Sequence, residues 1–336
     1  MPPQLESKRG RNQAVEVGRL VAAIAIVWLH TVGGAEMSET SRWMRWAVPF
    51  FIGASLWFGG PSCQNQPIQF IKDRFWRLYP LFLIWNVFYL VVRLVASAVM
   101  NGSFQQSPST FLQSLFFDGF AHHLWFLPFL LLVHLVQALG IALKPPMWFS
   151  PLAAVACLVG YEFIPPGWIG GGYLAELAWW SVPAALWAVA IGFLVRRVSL
   201  TGRAGIQAVW GMGFLILGAL VMAWSVIGPR DAMLEGLSGV LLFFGAMLIG
   251  ESGKVSFPDR LNRLAALSGG IYLIHVFFIE GFQDVISMRF AAEESVWVIS
   301  VFILATLSSV AAVGIARSVG LGWLFDGFGR RKAGKC

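Results

Sequence analysis

The chain has 336 residues, of which 57% are hydrophobic and only 12% charged, and its mean hydropathy is +0.71. Soluble domains carry about 25% charged residues, so the composition excludes a soluble enzyme or binding module and indicates an integral membrane protein. The formal charge of +7 does not point to nucleic acid, because the basic residues sit in short clusters between apolar runs, as orientation in a bilayer requires.

A bilayer core of about 30 Å takes roughly 20 apolar residues per helix. On that basis spans are expected near 16–34, 44–60, 76–99, 122–143, 147–164, 176–195, 205–227, 234–250, 264–282 and 296–316. The first apolar run follows basic residues but continues into Glu36 and Glu39 without a small-residue cleavage site, so it reads as a retained span. Pro61, Pro145-Pro146, Pro165-Pro166-Gly167 and Gly228-Pro229 read as helix ends. With the N-terminus inside, 19 of the 24 Lys and Arg residues fall in cytoplasmic segments. That asymmetry predicts an all-α polytopic membrane protein of about ten helices with both termini cytoplasmic. Residues 1–15 are then a cytoplasmic tail, 16–316 the transmembrane domain and 317–336 a basic cytoplasmic tail. Cys63, Cys157 and Cys336 fit no disulfide framework and no metal pattern.

Four polar clusters interrupt the apolar background. Arg19 and His30 share one apolar segment, eleven positions apart with no ionisable residue between them. On a helix that spacing is about 16 Å and returns to nearly the same face. Ionisable groups in lipid are costly, which makes the pair a functional-site candidate. The second cluster, Phe70 to Pro80, carries Arg74 and Arg77 three apart on one face, expected at the cytoplasmic start of the third span with Pro80 in its first turn. Two guanidiniums on one face suit bidentate binding of phosphate. The third, His122-His123-Leu124-Trp125-Phe126-Leu127, lies at the outer start of the fourth span as a polar pocket or an aromatic belt. Adjacent histidines point apart on a helix, so no metal site is expected there or elsewhere. In the fourth, Tyr272 and His275 share a face of the ninth span, with Glu280 beyond.

Taken together, these clusters resemble the membrane acyltransferase-3 family, whose members acylate glycans and other envelope molecules. Arg19 and His30 are similar to the family's first-span arginine and histidine. Arg74, Arg77 and Pro80 are similar to its R-x-x-R before a proline, His123 to Leu127 to its H-x-W-F-L, and Ile271 to His275 to its I-Y-L-x-H. The likeness runs over about residues 14 to 320. It departs at Phe50-Phe51-Ile52-Gly53-Ala54-Ser55, where the family commonly has Ser-Gly directly after Phe-Phe, and no extracytoplasmic esterase-like domain is appended.

The resemblance implies a multi-pass protein of the inner membrane that takes acyl-CoA, commonly acetyl-CoA, on the cytoplasmic side. Its acceptor would be a hydroxyl of an exopolysaccharide, an O-antigen or a lipid-linked glycan precursor. His30, with Arg19, would be catalytic as general base or nucleophile, and Arg74 and Arg77 would hold the phosphates of coenzyme A. His123, Trp125, Tyr272 and His275 would bind the acceptor or orient His30, and Glu280 or Asp118 would steady an imidazole. A transporter or flippase of a lipid-linked sugar or small metabolite is the competing reading, and a membrane scaffold the third. Neither inverted repeats nor paired broken spans, common in transporters, stand out.

Overall fold

The computed structural model describes residues 12–32, 38–99, 107–143, 149–162, 173–228, 231–289 and 294–327. Residues 1–11 and 328–336, on which most of the two expected tails falls, lie outside the described residues, as do the expected span ends at 33–34, 147–148 and 163–164. Among the described residues every regular element is helical. In chain order these are α1 (Gln13–Thr31), α2 (Ser38–Ser41), α3 (Ala47–Asn65), α4 (Pro67–Val99), α5 (Pro108–Gln113), α6 (Phe126–Ala142) and α7 (Phe149–Glu162). They continue with α8 (Tyr173–Leu200), α9 (Ala204–Ile227), α10 (Ala232–Glu251), α11 (Asp259–Ala265), α12 (Ser268–Arg289), α13 (Glu294–Ser318) and α14 (Trp323–Asp326).

Each of the ten expected segments is helical over most of its described residues. Among the described residues seven helices are long and apolar enough to cross a membrane, and α11 with α12 makes an eighth if the two form one span. The two expected segments that do not qualify have visible reasons. The described residues of α7 number 14, below the length of a full crossing, and α3 ends in the weakly apolar run Gly59-Gly60-Pro61-Ser62-Cys63-Gln64-Asn65.

The chain divides into two compact units, Met1–Trp57 with Pro145–Ser268 and Phe58–Lys144 with Gly269–Cys336. In the first, α10 is the buried centre, packed by α1, α8 and α9. Lipid offers no hydrophobic drive between helices, so close approach over small residues does the packing. A methyl on Gly236 would lie 3.0 Å from the Ala184 nitrogen of α8, and one on Gly245 would lie 2.9 Å from the Gly211 carbonyl oxygen of α9. A methyl on Gly239 would overlap the Trp46 carbonyl at the start of α3 and reach Pro49 Cβ at 2.6 Å.

Helix α1 is fixed to this centre by its first residues. Asn12 caps it, accepting from Val15 N at 3.1 Å, and its side-chain amide donates to the Met247 carbonyl of α10 at 2.8 Å. Gln13 accepts from the Phe257 amide at 3.2 Å. Near the other end Trp28 Nε1 donates to Thr40 at 3.2 Å. Arg42 gives Nη2 to the Ser225 and Gly228 carbonyls at 2.5 and 2.7 Å, a cation at the C-terminus of α9 where the helix dipole favours one.

The second unit is built on α4, whose 33 residues span about 50 Å, well beyond a bilayer core of about 30 Å. One expectation is corrected here. Pro80 is not in the first turn of its helix but inside it, because the charged stretch before it is also helical. Gln69 donates to Asp73 at 2.7 Å across one turn, and Phe70 is buried, which together carry the helix back to Pro67. Deeper along α4, Asn86 is fully buried and saturated. Its amide donates to the Ser114 and Leu115 carbonyls, both at 2.9 Å, and its oxygen accepts from Phe120 N at 2.6 Å. An irregular segment can lie inside a membrane protein only if its backbone is satisfied in this way.

The glycine contacts generate a test. Gly239→Ala is expected to cost about 1–3 kcal/mol by overpacking, lowering the thermal midpoint of the detergent-solubilised protein. Gly213→Ala, where a methyl meets nothing within 4 Å, is expected to leave the midpoint unchanged.

Candidate active site

The first unit holds Arg19 and His30 on the single unbroken helix α1. Eleven steps of about 100° leave the two only about 20° apart around the axis. Both are half-buried. Arg19 Nη1 meets Glu16 Oε1 at 3.5 Å one turn earlier, and His30 occupies the last turn, at the negative end of the helix dipole.

The second unit holds the other six expected residues. Arg74 and Arg77 share a face of α4, with Arg74 half-buried and Arg77 exposed. Arg74 lies over the Phe70 ring, Cζ 5.0 Å from the centroid, a cation–π contact that orients the guanidinium while leaving its donors for an anion. The Phe70 ring meets His134 of α6 edge-on at 5.2 Å, and His134 Nδ1 lies 3.3 Å from Gln137 Oε1. Cys63 and Ala138 are buried against Phe70 in the same small core.

His123, Tyr272 and His275 come together. His123 lies in a 3-10 turn, His122–Trp125, that leads into α6, while Tyr272 and His275 lie on α12. The two imidazole centroids are 4.9 Å apart, with Tyr272 5.5 Å from His123. The Leu273 carbonyl accepts from His123 Nε2 at 3.2 Å and from the Tyr89 hydroxyl of α4 at 2.9 Å. Phe277 N in turn donates to the Tyr89 oxygen at 3.3 Å, and the Tyr272 hydroxyl donates to the His123 carbonyl. His275 Nδ1 lies 2.7 Å from the Tyr272 carbonyl and 3.2 Å from that of Ile271. Those carbonyls assign its proton to Nδ1 and make Nε2 the acceptor nitrogen.

His123 and His275 are 1% and 0% exposed, whereas Tyr272 is half-buried. Trp125 is also half-buried, and its ring packs on Phe126 and Phe129 at 5.8 and 5.6 Å. Neither acid expected near an imidazole is bonded to one at the contacts resolved: Glu280 meets Arg93 at 3.5 Å and Asp118 accepts from Gln113 at 2.7 Å. Burial raises the Asp118 carboxyl above its ordinary value, against the Gln113 hydrogen bond that lowers it. Among the described residues no group of three or more His, Cys, Asp or Glu gathers as a metal site.

A family model described as an acyltransferase domain matches residues 12–314. The chain belongs to the acyltransferase-3 family. No curated protein and no solved structure matches it. This membrane acyltransferase thus carries over most of its length the family that the four clusters resemble, and the match takes in all eight expected site residues.

Sequence reading passed over His134, Asn86 and the pairing of Arg93. His134 carried a usable signal. It is a lone histidine in the apolar α6, the same circumstance that singles out His275. Asn86 and Arg93 stand three before and four after Tyr89, one face of α4, a spacing that an ionisable-residue search does not register.

The carbonyl clamp generates the test for this site. Tyr89→Phe removes the bonds to Leu273 O and Phe277 N and is expected to cost about 1–3 kcal/mol, measured as a lower denaturation midpoint. An unchanged midpoint would remove Tyr89 from the clamp.

Proposed function

We propose that this acyltransferase moves an acyl group, most simply acetyl, from cytoplasmic acyl-CoA to a hydroxyl of a cell-envelope glycan. An exopolysaccharide, an O-antigen and a lipid-linked precursor all present such a hydroxyl. The reading includes ten crossings of the inner membrane with both termini cytoplasmic, the orientation that the clustering of basic residues favours. The observation that carries it is the arrangement of cations on α4. Arg74 is held by the Phe70 ring and Arg77 projects from the same face, a pair of forks suited to the phosphates of coenzyme A.

In this scheme His30 is the general base. It takes the proton of the acceptor hydroxyl as the oxygen attacks the thioester carbonyl. The tetrahedral intermediate expels coenzyme A as thiolate, and the imidazolium returns the proton to that sulfur. An acyl-imidazole on His30, attacked next by the acceptor, balances equally well. Arg19, on the same face of α1 and about 16 Å from His30, is the cation available to hold the donor. Tyr272 and Trp125, both half-buried, are the acceptor-side surfaces, and the buried His123 and His275 hold Tyr272 in place.

The assay is release of coenzyme A from radiolabelled acetyl-CoA by protein in nanodiscs, run with and without a panel of envelope glycans. Acceptor-dependent release supports the reading, and uptake of glycan into vesicles without label transfer overturns it. His30→Ala is expected to lower kcat by at least about 100-fold at normal protein level. Unchanged transfer removes His30 from the site.

Arg74→Ala with Arg77→Ala is expected to raise KM for acyl-CoA by about 10- to 100-fold, as loss of charged hydrogen bonds implies, with a much smaller effect on the acceptor's KM. A change confined to acceptor kinetics would refute the phosphate assignment.

A further inference from the structure

One turn beyond Tyr89, α4 carries a cation that the scheme above does not use. Arg93 Nη2 meets Glu280 Oε1 of α12 at 3.5 Å, while its Nε donates to the Phe120 carbonyl in the segment before α6. The pair is not sealed off, since 41% of the Arg93 side chain and 39% of the Glu280 side chain stay accessible. Two further polar groups stand beside it. His122, two residues after the carbonyl that Arg93 holds, is exposed. Asp284, one turn after Glu280 on the same face of α12, is exposed as well. All four residues belong to the second unit.

Depth decides what this cluster can be. Helix α4 runs on from Arg93 to Val99, about 9 Å along its axis. Over that stretch Leu94, Val95 and Val99 are exposed apolar side chains, the surface a helix gives to lipid. Arg93 and Glu280 therefore lie inside the apolar zone, not at its edge. Ionisable groups at such a depth face the bundle interior or a water-filled cavity, and these two are too accessible for a closed interior. One turn deeper lies a floor, where Tyr89 and His123 share the Leu273 carbonyl and the Tyr272 hydroxyl donates to the His123 carbonyl. The single contact between Arg93 and Glu280 is also longer than the about 2.7–2.9 Å of a tight charged pair. A polar ligand can thus enter beside it without breaking a closed salt bridge.

We propose that Arg93 and Glu280, flanked by His122 and Asp284, form an outer subsite that binds the sugar of the acceptor and selects a neutral sugar over one that carries a carboxylate. Sugar hydroxyls both donate and accept. A carboxylate takes their protons and a guanidinium gives to their oxygens, so the two side by side suit neighbouring hydroxyls of one ring. Two carboxyls against one guanidinium oppose a uronic acid by like charge. The inference rests on the glycan-acceptor reading and narrows it, placing recognition of the sugar one turn outward of Tyr272.

The full chain in nanodiscs is titrated, without donor, with a panel of neutral envelope oligosaccharides and with uronic oligosaccharides of matched length. The same sugars are then assayed as acceptors of label from acetyl-CoA. The unaltered protein is expected to bind the neutral set more tightly. Glu280→Gln keeps the shape but removes the charge, and is expected to weaken neutral-sugar binding and raise the acceptor's KM about 10-fold. The KM for acetyl-CoA is expected to move less than about 3-fold. E280Q/D284N is expected to narrow the preference for neutral over uronic sugars about 10-fold. A pair that only braced the helices would lower the denaturation midpoint and leave that preference unchanged. No sugar binding by the unaltered protein, tighter binding of the uronic set, or unchanged affinity in Glu280→Gln overturns the proposal. Sugar binding that depends on Glu280 without label transfer leaves the subsite standing and refutes acyl transfer to the sugar. Transfer whose acceptor KM ignores Glu280 refutes the subsite alone.

Discussion

Asn86, Tyr89 and Arg93 recur at spacings of three and four along α4, a polar stripe in the largely apolar part of the helix that follows the charged stretch 72–77. Asn86 and Arg93 reach backbone of the segment before α6, and Tyr89 reaches backbone of α12. Asn86 donates to the Ser114 and Leu115 carbonyls and accepts from the Phe120 amide, and Arg93 Nε donates to the Phe120 carbonyl at 2.5 Å. Tyr89 bridges Leu273 O and Phe277 N of α12. In a membrane an unmade backbone bond cannot be repaired by water, so this stripe decides where the segment before α6, and with it His123, can sit.

That constraint also separates the histidines by kind. His123 gives Nε2–H to a carbonyl already held by Tyr89, and His275 gives Nδ1–H to carbonyls of its own helix. Both are closed off from solvent, so a charged imidazole there would carry the full cost of desolvation. His30 is different: it is half-buried in the last turn of α1, at the negative end of the helix dipole.

Apolar segments were legible because hydropathy over some 20 residues is a strong signal, and each of the ten is helical over most of its described residues. Their limits were less so. Arg74 and Arg77 were expected at the entrance of the third span with Pro80 in its first turn, yet α4 begins at Pro67, since i,i+4 bonding and the buried Phe70 support helix where lipid does not. Arg74 and Arg77 could be placed on one face from spacing alone. The Phe70–His134 contact behind Arg74 could not, because it joins residues 64 positions apart. For the same reason α14 was invisible: its four residues have no periodicity to read, and its position comes from Trp85 and Gly270, far away in sequence.

The first helix illustrates how a spacing becomes a mechanical property. Between Arg19 and His30 there is no glycine or proline, and the one nearby glycine, Gly18, is pressed against Phe50, where a methyl would lie 2.5 Å from Cζ. Asn12 fastens one end to α10 and Trp28 the other to Thr40. A helix so held has no kink site between its two polar groups, so their axial spacing is that of a regular helix, about 16 Å. A donor with its reactive carbonyl at one end of a thin arm and its charge at the other is the kind of molecule for which a fixed length is useful, because the scaffold rather than the substrate then sets where the carbonyl stops.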